Sequence, residues 1–163
     1  FFNHFGTYCI DSITTFGDAA MNVTLKKAGR AGGHPYQQDY SPTMAVIATA
    51  IRDILTLPCD VILLCHEDVD KDESTGRMFV GPAFIGKSAR GKTPVYFDEL
   101  YCAQTKETSS GTNYSLLTRN TGLYKARTRL GRNGKFEMYE EQNIKKLLAK
   151  AGFPTEDKPL FNK

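Results

Sequence analysis

Val61-Ile62-Leu63-Leu64-Cys65 is an unbroken apolar run, preceded by Pro58 and closed by His66. A strand with one wet face alternates apolar and polar residues. A run that is apolar at every position instead needs cover on both faces, as in a central strand of a parallel sheet flanked by helices. The run therefore predicts an α/β domain with His66 at the carboxyl edge of its sheet. A second strand, Tyr8-Cys9-Ile10-Asp11-Ser12, ends in a carboxylate and a hydroxyl. Ligands of open α/β sheets gather outside the carboxyl ends of the strands, so Asp11 and His66 are candidate site residues on one edge. The plainer reading of Asp11-Ser12 is that one of them caps the helix that follows.

That helix is expected over Ile13 to Lys27, ending in the basic, Gly-rich loop Ala28-Gly29-Arg30-Ala31-Gly32-Gly33-His34-Pro35, expected to be mobile. Ser41-Pro42 is a hydroxyl cap followed by Pro in the first helical position, and Met44, Ile47, Ala48, Ile51, Ile54 and Leu55 recur at helical spacing as far as Leu57. From Glu67 to Pro94 no regular pattern emerges, and in a compact domain so long a gap suggests function or disorder. Leu100 to Lys106, Tyr114 to Arg119 and Leu123 to Thr128 read as short strands joined by Ser109-Ser110-Gly111 and Asn120-Thr121-Gly122 turns. Glu140 to Ala151 reads as a final helix with Ile144, Leu147 and Leu148 inward and Gly152 as its stop. This order predicts one domain over residues 1–163, a parallel α/β core extended by antiparallel hairpin strands.

A formal charge of +3 is too small to mark a nucleic-acid binder, so the placement of charge has to decide. Glu67, Asp68, Asp70, Asp72 and Glu73 have the spacing of no established calcium loop and read as a solvated acidic stretch. No acidic residue occurs from Thr108 to Phe136, where Arg119, Lys125, Arg127, Arg129, Arg132 and Lys135 fall. On a strand Lys125, Arg127 and Arg129 share a face, and three like charges there suggest an anionic partner. A basic edge strand that protects the sheet from aggregation is the competing explanation. The four cysteines lack CxxC spacing and are expected to be buried, reduced thiols, which suits a cytosolic protein. No stretch approaches the ~20 apolar residues of a membrane span, and the first residues do not read as a signal peptide.

Four blocks, taken in order and spacing, resemble the RecA-type P-loop ATPases, most closely the phage-encoded AAA/RecA-like group associated with single-strand annealing and recombination. Tyr8-Cys9-Ile10-Asp11-Ser12 resembles the Walker B strand. Val61-Ile62-Leu63-Leu64-Cys65-His66 resembles the next core strand with its polar sensor. Gly81-Pro82-Ala83-Phe84-Ile85-Gly86-Lys87, followed by Pro94-Val95-Tyr96-Phe97-Asp98-Glu99, resembles the phage group's proline, Gly-Lys and Phe-Asp stretch. Tyr124-Lys125-Ala126-Arg127 resembles the Lys-x-Lys/Arg element that reaches a neighbouring subunit's nucleotide.

The resemblance implies a RecA-like P-loop NTPase core that binds ATP and Mg²⁺, with Asp11 holding the ion through water, Ser12 beside it, and His66 as γ-phosphate sensor. Lys125 and Arg127 would act on the nucleotide of the next subunit in a homo-oligomeric ring or filament. The loops matching those that touch single-stranded DNA carry Arg30 and His34, then Arg77, Lys87, Arg90 and Lys92. Phe79 is a stacking candidate there, and Phe84 is better read as a core anchor. The implied role is DNA recombination or annealing in the cytoplasm of a bacterial host, beside a phage recombination or single-strand-binding protein.

The family's phosphate loop and activating glutamate precede the Walker B strand, so the chain reads as the portion from that strand onward. It is expected to be an ATPase if completed by a Walker A segment and inactive in isolation. The alternatives are a degenerate or split fragment that binds DNA or assembles without hydrolysing ATP, and a replicative-helicase-like motor.

Overall fold

In the computed structural model, which describes residues 5–86 and 93–156, β1 (Thr7–Asp11) runs into α1 (Ile13–Lys27) through Ser12. The Ser12 hydroxyl accepts the Thr15 N–H at 3.3 Å, while the Thr15 hydroxyl lies 3.4 Å from the Ser12 N–H, so two otherwise orphaned donors are met at the helix start. The Asp11–Ser12 peptide is cis.

α2 (Gln37–Ile54) begins a full turn before the Ser41-Pro42 start expected from sequence. The start signal is Asp39, whose carboxylate accepts the Tyr36 N–H at 2.6 Å and sits at the positive end of the helix. Pro42 is consequently inside the helix, where it removes one backbone hydrogen bond. Packing outweighs that loss: Thr43, Ile47 and Ile51 of α2 are buried, as are Ala20, Met21 and Leu25 of α1. The Thr43 hydroxyl, fully buried, lies 2.8 Å from the Asp39 carbonyl and 2.9 Å from the Thr24 hydroxyl, so the polar group between the helices is satisfied.

β2 (Asp60–Leu64) pairs with β1 in parallel, Thr7 opposite Asp60 and Asp11 opposite Leu64. These two strands form a sheet of their own among the described residues. The apolar run is therefore not enclosed on both faces: Val61, Ile62 and Leu63 are half-buried, and Leu64 is 45% exposed. β1 alternates, with Tyr8 and Ile10 half-buried and Thr7, Cys9 and Asp11 exposed.

The described residues fall into two compact units, one drawn from Phe1–Glu67 and Pro82–Thr93, the other from Asp68–Gly81 and Pro94–Asp157. In the first, Phe84 is buried at 9% exposure, in accord with its reading as an anchor. Ile85 packs so closely on α1 that a Cβ at Gly17 would lie 3.2 Å from its side chain.

The second unit corrects the expectation that residues 67 to 94 lack regular structure. β3 (Glu67–Lys71) and β4 (Met78–Pro82) pair in a sheet of two strands. The Asp72 carboxylate closes the turn between them, accepting from the Ser74 hydroxyl at 2.6 Å, the Ser74 N–H at 2.9 Å and the Thr75 N–H at 3.1 Å. Those donors pull its pKa down to about 2. β5 (Glu99–Leu100) pairs with β8 (Arg127–Thr128), and β6 (Cys102–Thr108), β7 (Gly111–Leu117) and β9 (Tyr139–Glu141) form an antiparallel sheet in the order β6-β7-β9.

The strand expected over Leu123 to Thr128 is thus reduced to β8 and a bridge between Tyr124 and Val80. The last helix, α3 (Ile144–Ala151), starts later than expected, because Tyr139–Glu141 extends the sheet and Asn143 caps the helix through the Lys146 N–H at 3.1 Å. Its Leu147 joins Leu116 and Phe136 in a core flanked by Tyr101, Leu130 and Ala151.

None of the four cysteines is in a disulfide; Cys9 is exposed and Cys59, Cys65 and Cys102 half-buried, which corrects the expectation of buried cysteines. Among the described residues no helix is long and apolar enough to cross a membrane.

Candidate nucleotide site at the β1–β2 edge

Parallel pairing brings Asp11 and His66 to one edge. Asp11 ends β1 opposite Leu64, the last residue of β2, and His66 lies two positions beyond Leu64. Both residues are exposed. The main chain around His66 is fixed by Thr14 in the first turn of α1. The Thr14 hydroxyl accepts the His66 N–H at 3.1 Å and donates to the Ala83 carbonyl at 3.0 Å, while the Ala83 N–H donates to the His66 carbonyl at 2.8 Å. Three segments distant in sequence therefore meet through one hydroxyl beside the Asp11 strand end. Thr14 carries no signal in the sequence because its partners lie 52 and 69 residues away.

Ser12 is buried and its hydroxyl is engaged in capping α1. That is the plainer role foreseen for this position.

The basic candidates divide by what each charge faces. Arg30 is held in the first unit: its guanidinium lies 2.5 Å from the buried Asp39 carboxylate and 4.4 Å from the centroid of the Tyr36 ring. That hydrogen bond, followed by the one from the Tyr36 N–H, pulls the Asp39 pKa down. His34 is exposed, and its carbonyl accepts from Arg30 at 3.4 Å. Arg77 is exposed at the turn between β3 and β4. Lys87, Arg90 and Lys92 lie outside the described residues.

In the second unit the Arg127 guanidinium donates to the Pro94 carbonyl at 2.6 Å and the Phe97 carbonyl at 2.8 Å, fastening the short helical turn Thr93–Tyr96. Lys125 is exposed, with its ammonium 4.5 Å from the centroid of the Phe79 ring. Arg129 pairs with Asp98 at 2.8 Å, and its N–H donates to Glu99 Oε1 at 2.8 Å. Each of these three cations has a contact within the second unit, and those of Arg127 and Arg129 fall on the stretch from Pro94 to Glu99.

Among the described residues no group of three or more His, Cys, Asp or Glu is positioned to hold an ion. A single carboxylate at a strand end nevertheless suits Mg²⁺, which retains several waters and is usually held by one or two carboxylates together with substrate phosphates. Asp11 fits that donor chemistry.

The third block, carried on past Lys87, also has a phosphate-loop spacing. Gly81 to Ser88 has the pattern G-x-x-x-x-G-K-S, and Gly86 to Thr93 repeats it as G-x-x-x-x-G-K-T. The motif acts in a strand–loop–helix context, where the helix N-terminus faces the phosphates. Here Gly81 and Pro82 are still in β4, and both lysines of the pattern lie outside the described residues.

A family model described as an AAA domain matches residues 2–130. The chain belongs to this AAA domain family. The match runs from before β1 to beyond β8, so it takes in Asp11, His66, Lys125 and Arg127 together. AAA domains are of the nucleotide-binding ATPase type and use ATP with Mg²⁺. No curated protein and no solved structure matches the chain.

Proposed function

We propose that this AAA domain is a RecA-like ATPase of phage type, a single domain over residues 1–163, that couples MgATP to its grip on single-stranded DNA in recombination or annealing. The observation that carries the reading is the parallel register of β1 and β2, with Asp11 opposite Leu64 and His66 two residues further on. Asp11 holds the water shell of Mg²⁺, the ion that neutralises charge on the β- and γ-phosphates when bound. His66 hydrogen-bonds the γ-phosphate and responds to its loss. The likeness of Gly81 to Lys87 and of Phe97-Asp98 to the phage group supports the narrower assignment.

DNA contacts fall to His34 and Arg77, together with Lys87, Arg90 and Lys92. Lys125 reaches the nucleotide of a neighbouring copy in a homo-oligomer, and Arg127 supports it by fixing the Pro94–Phe97 turn. Working beside a recombination or single-strand-binding protein in the bacterial host cytoplasm completes the proposal.

The test is ATP turnover with and without single-stranded DNA. In the protein completed by a Walker A segment, single-stranded DNA should stimulate turnover and Asp11→Ala should abolish it, with the far-UV spectrum retained. Turnover that is indifferent to both DNA and Asp11 would contradict the proposal.

A further inference from the structure

We infer that Thr14 is a positioning residue that makes the His66 main chain and the Pro82–Gly86 segment one cooperative unit, so that a shift at the sensor is passed to Ala83. The functional meaning rests on the nucleotide reading above; the coupling itself stands on geometry within the first unit.

Three hydrogen bonds close a ring: His66 N–H to Thr14 Oγ1 at 3.1 Å, Thr14 O–H to the Ala83 carbonyl at 3.0 Å, and Ala83 N–H to the His66 carbonyl at 2.8 Å. A hydroxyl carries one proton and accepts at its lone pairs, so Thr14 is used here as donor and acceptor at once. β3 begins at Glu67 and pairs with β4, which ends at Pro82, so His66 and Ala83 lie just beyond the two strands and the Ala83 N–H bond to the His66 carbonyl continues their pairing. Thr14 adds the side-chain link that ties both ends of this pairing to the first turn of α1.

The segment after Ala83 is tightly seated. Phe84 is buried, Ile85 packs on Gly17, and Gly86 has φ +82 and sits so close to Met44 that a Cβ would fall 2.6 Å from its sulfur. Displacing the His66 carbonyl pulls on the Ala83 N–H, and Ala83 can move with it only if the segment 84–86 shifts on the α1–α2 surface. Closely packed interiors turn such small displacements into shifts between discrete arrangements. Thr14 also belongs to the first turn after Asp11, so the same ring fixes the His66 main chain relative to the carboxylate strand.

Amide hydrogen exchange tests this in the unliganded protein. In Thr14→Val the His66 N–H loses its acceptor and should exchange about five- to tenfold faster, the scale of one net hydrogen bond. The informative amide is Ala83, whose own acceptor is His66 and is untouched by the substitution. It should accelerate by a similar factor, and Thr14→Ser should restore protection at both. Acceleration at His66 alone would overturn the inference.

Should Thr14→Val fail to fold, the denaturant dependence of exchange in the wild type decides. One cooperative unit gives His66 and Ala83 the same opening free energy and slope, and different values would overturn the inference. Neither measurement involves nucleotide, so failure here leaves the ATPase reading to its own test, and failure of that reading leaves the coupling intact.

Discussion

The Arg30 guanidinium lies 2.5 Å from the carboxylate of Asp39, a residue 4% exposed at the start of α2. The pair joins the Gly-rich loop to the helix it precedes. Arg30→Ala and Asp39→Asn should each lower the urea midpoint, and the double variant should lose less than the two losses added, as expected of residues in contact. Arg30→Ala should have a smaller effect on DNA affinity than Arg77→Ala, because the charge of Arg30 is already engaged.

Asp72 gives a pH dependence of definite sign. Hydrogen bonds from the Ser74 hydroxyl and from the Thr75 and Ser74 N–H groups depress its pKa from 3.8 to about 2. The folded state thus binds the proton less readily than the unfolded chain. The contribution is whole above the unfolded value and is lost as pH falls through the folded one. Urea unfolding of Asp72→Asn should show a shallower loss of stability than the wild type between pH 3.8 and about 2. Parallel pH profiles would mean the β3–β4 turn opens without affecting global unfolding.

Gly131 has an ordinary φ of −80, so its requirement for glycine is one of space. A Cβ there would stand 2.6 Å from Cδ2 of Phe136, which is 1% exposed. Gly131→Ala should cost about 1–3 kcal/mol through overpacking, read as a lower melting temperature. Gly131→Ala combined with Phe136→Leu should recover part of the loss that the two single variants predict together.

Arg127 and Lys125 should separate by readout. Arg127→Ala removes two hydrogen bonds from a charged donor and should lower stability on the order of 2 kcal/mol, whereas Lys125→Ala should cost less than about 1 kcal/mol. If Lys125 acts on a neighbour's nucleotide, mixing Lys125→Ala and Asp11→Ala subunits in the hydrolysing assembly should restore some turnover, through composite sites with both residues intact. A mixture that stays inactive while subunits exchange would place Lys125 outside the nucleotide site.

Much of the fold is legible in the sequence wherever pattern and local chemistry agree. α1 spans the expected Ile13 to Lys27, and the shared edge of Asp11 and His66 comes from two apolar strands read in parallel. β3 is hidden because Glu67-Asp68-Val69-Asp70-Lys71 carries one apolar residue, and its pairing with β4 decides its conformation. β9 is masked by two glutamates, good helix formers that serve here as a sheet edge. The start of α2 is displaced because Ser41-Pro42 is the stronger local signal, while burial of the α1–α2 seam and the Asp39 contacts act at longer range. Ion pairs such as Arg129–Asp98 and the Thr14 ring join residues that only the folded chain brings together.

The central claim is that Asp11 and His66 flank a magnesium–nucleotide site. NMR of the isotopically labelled protein with Mn²⁺–ATP tests it most directly, since a paramagnetic ion broadens nearby amides even when binding is weak. The account predicts broadening concentrated at Asp11 to Thr14 and at Leu64 to His66, dependent on ATP and lost in Asp11→Asn. Broadening that survives Asp11→Asn unchanged, or that centres away from the β1–β2 edge, would contradict it.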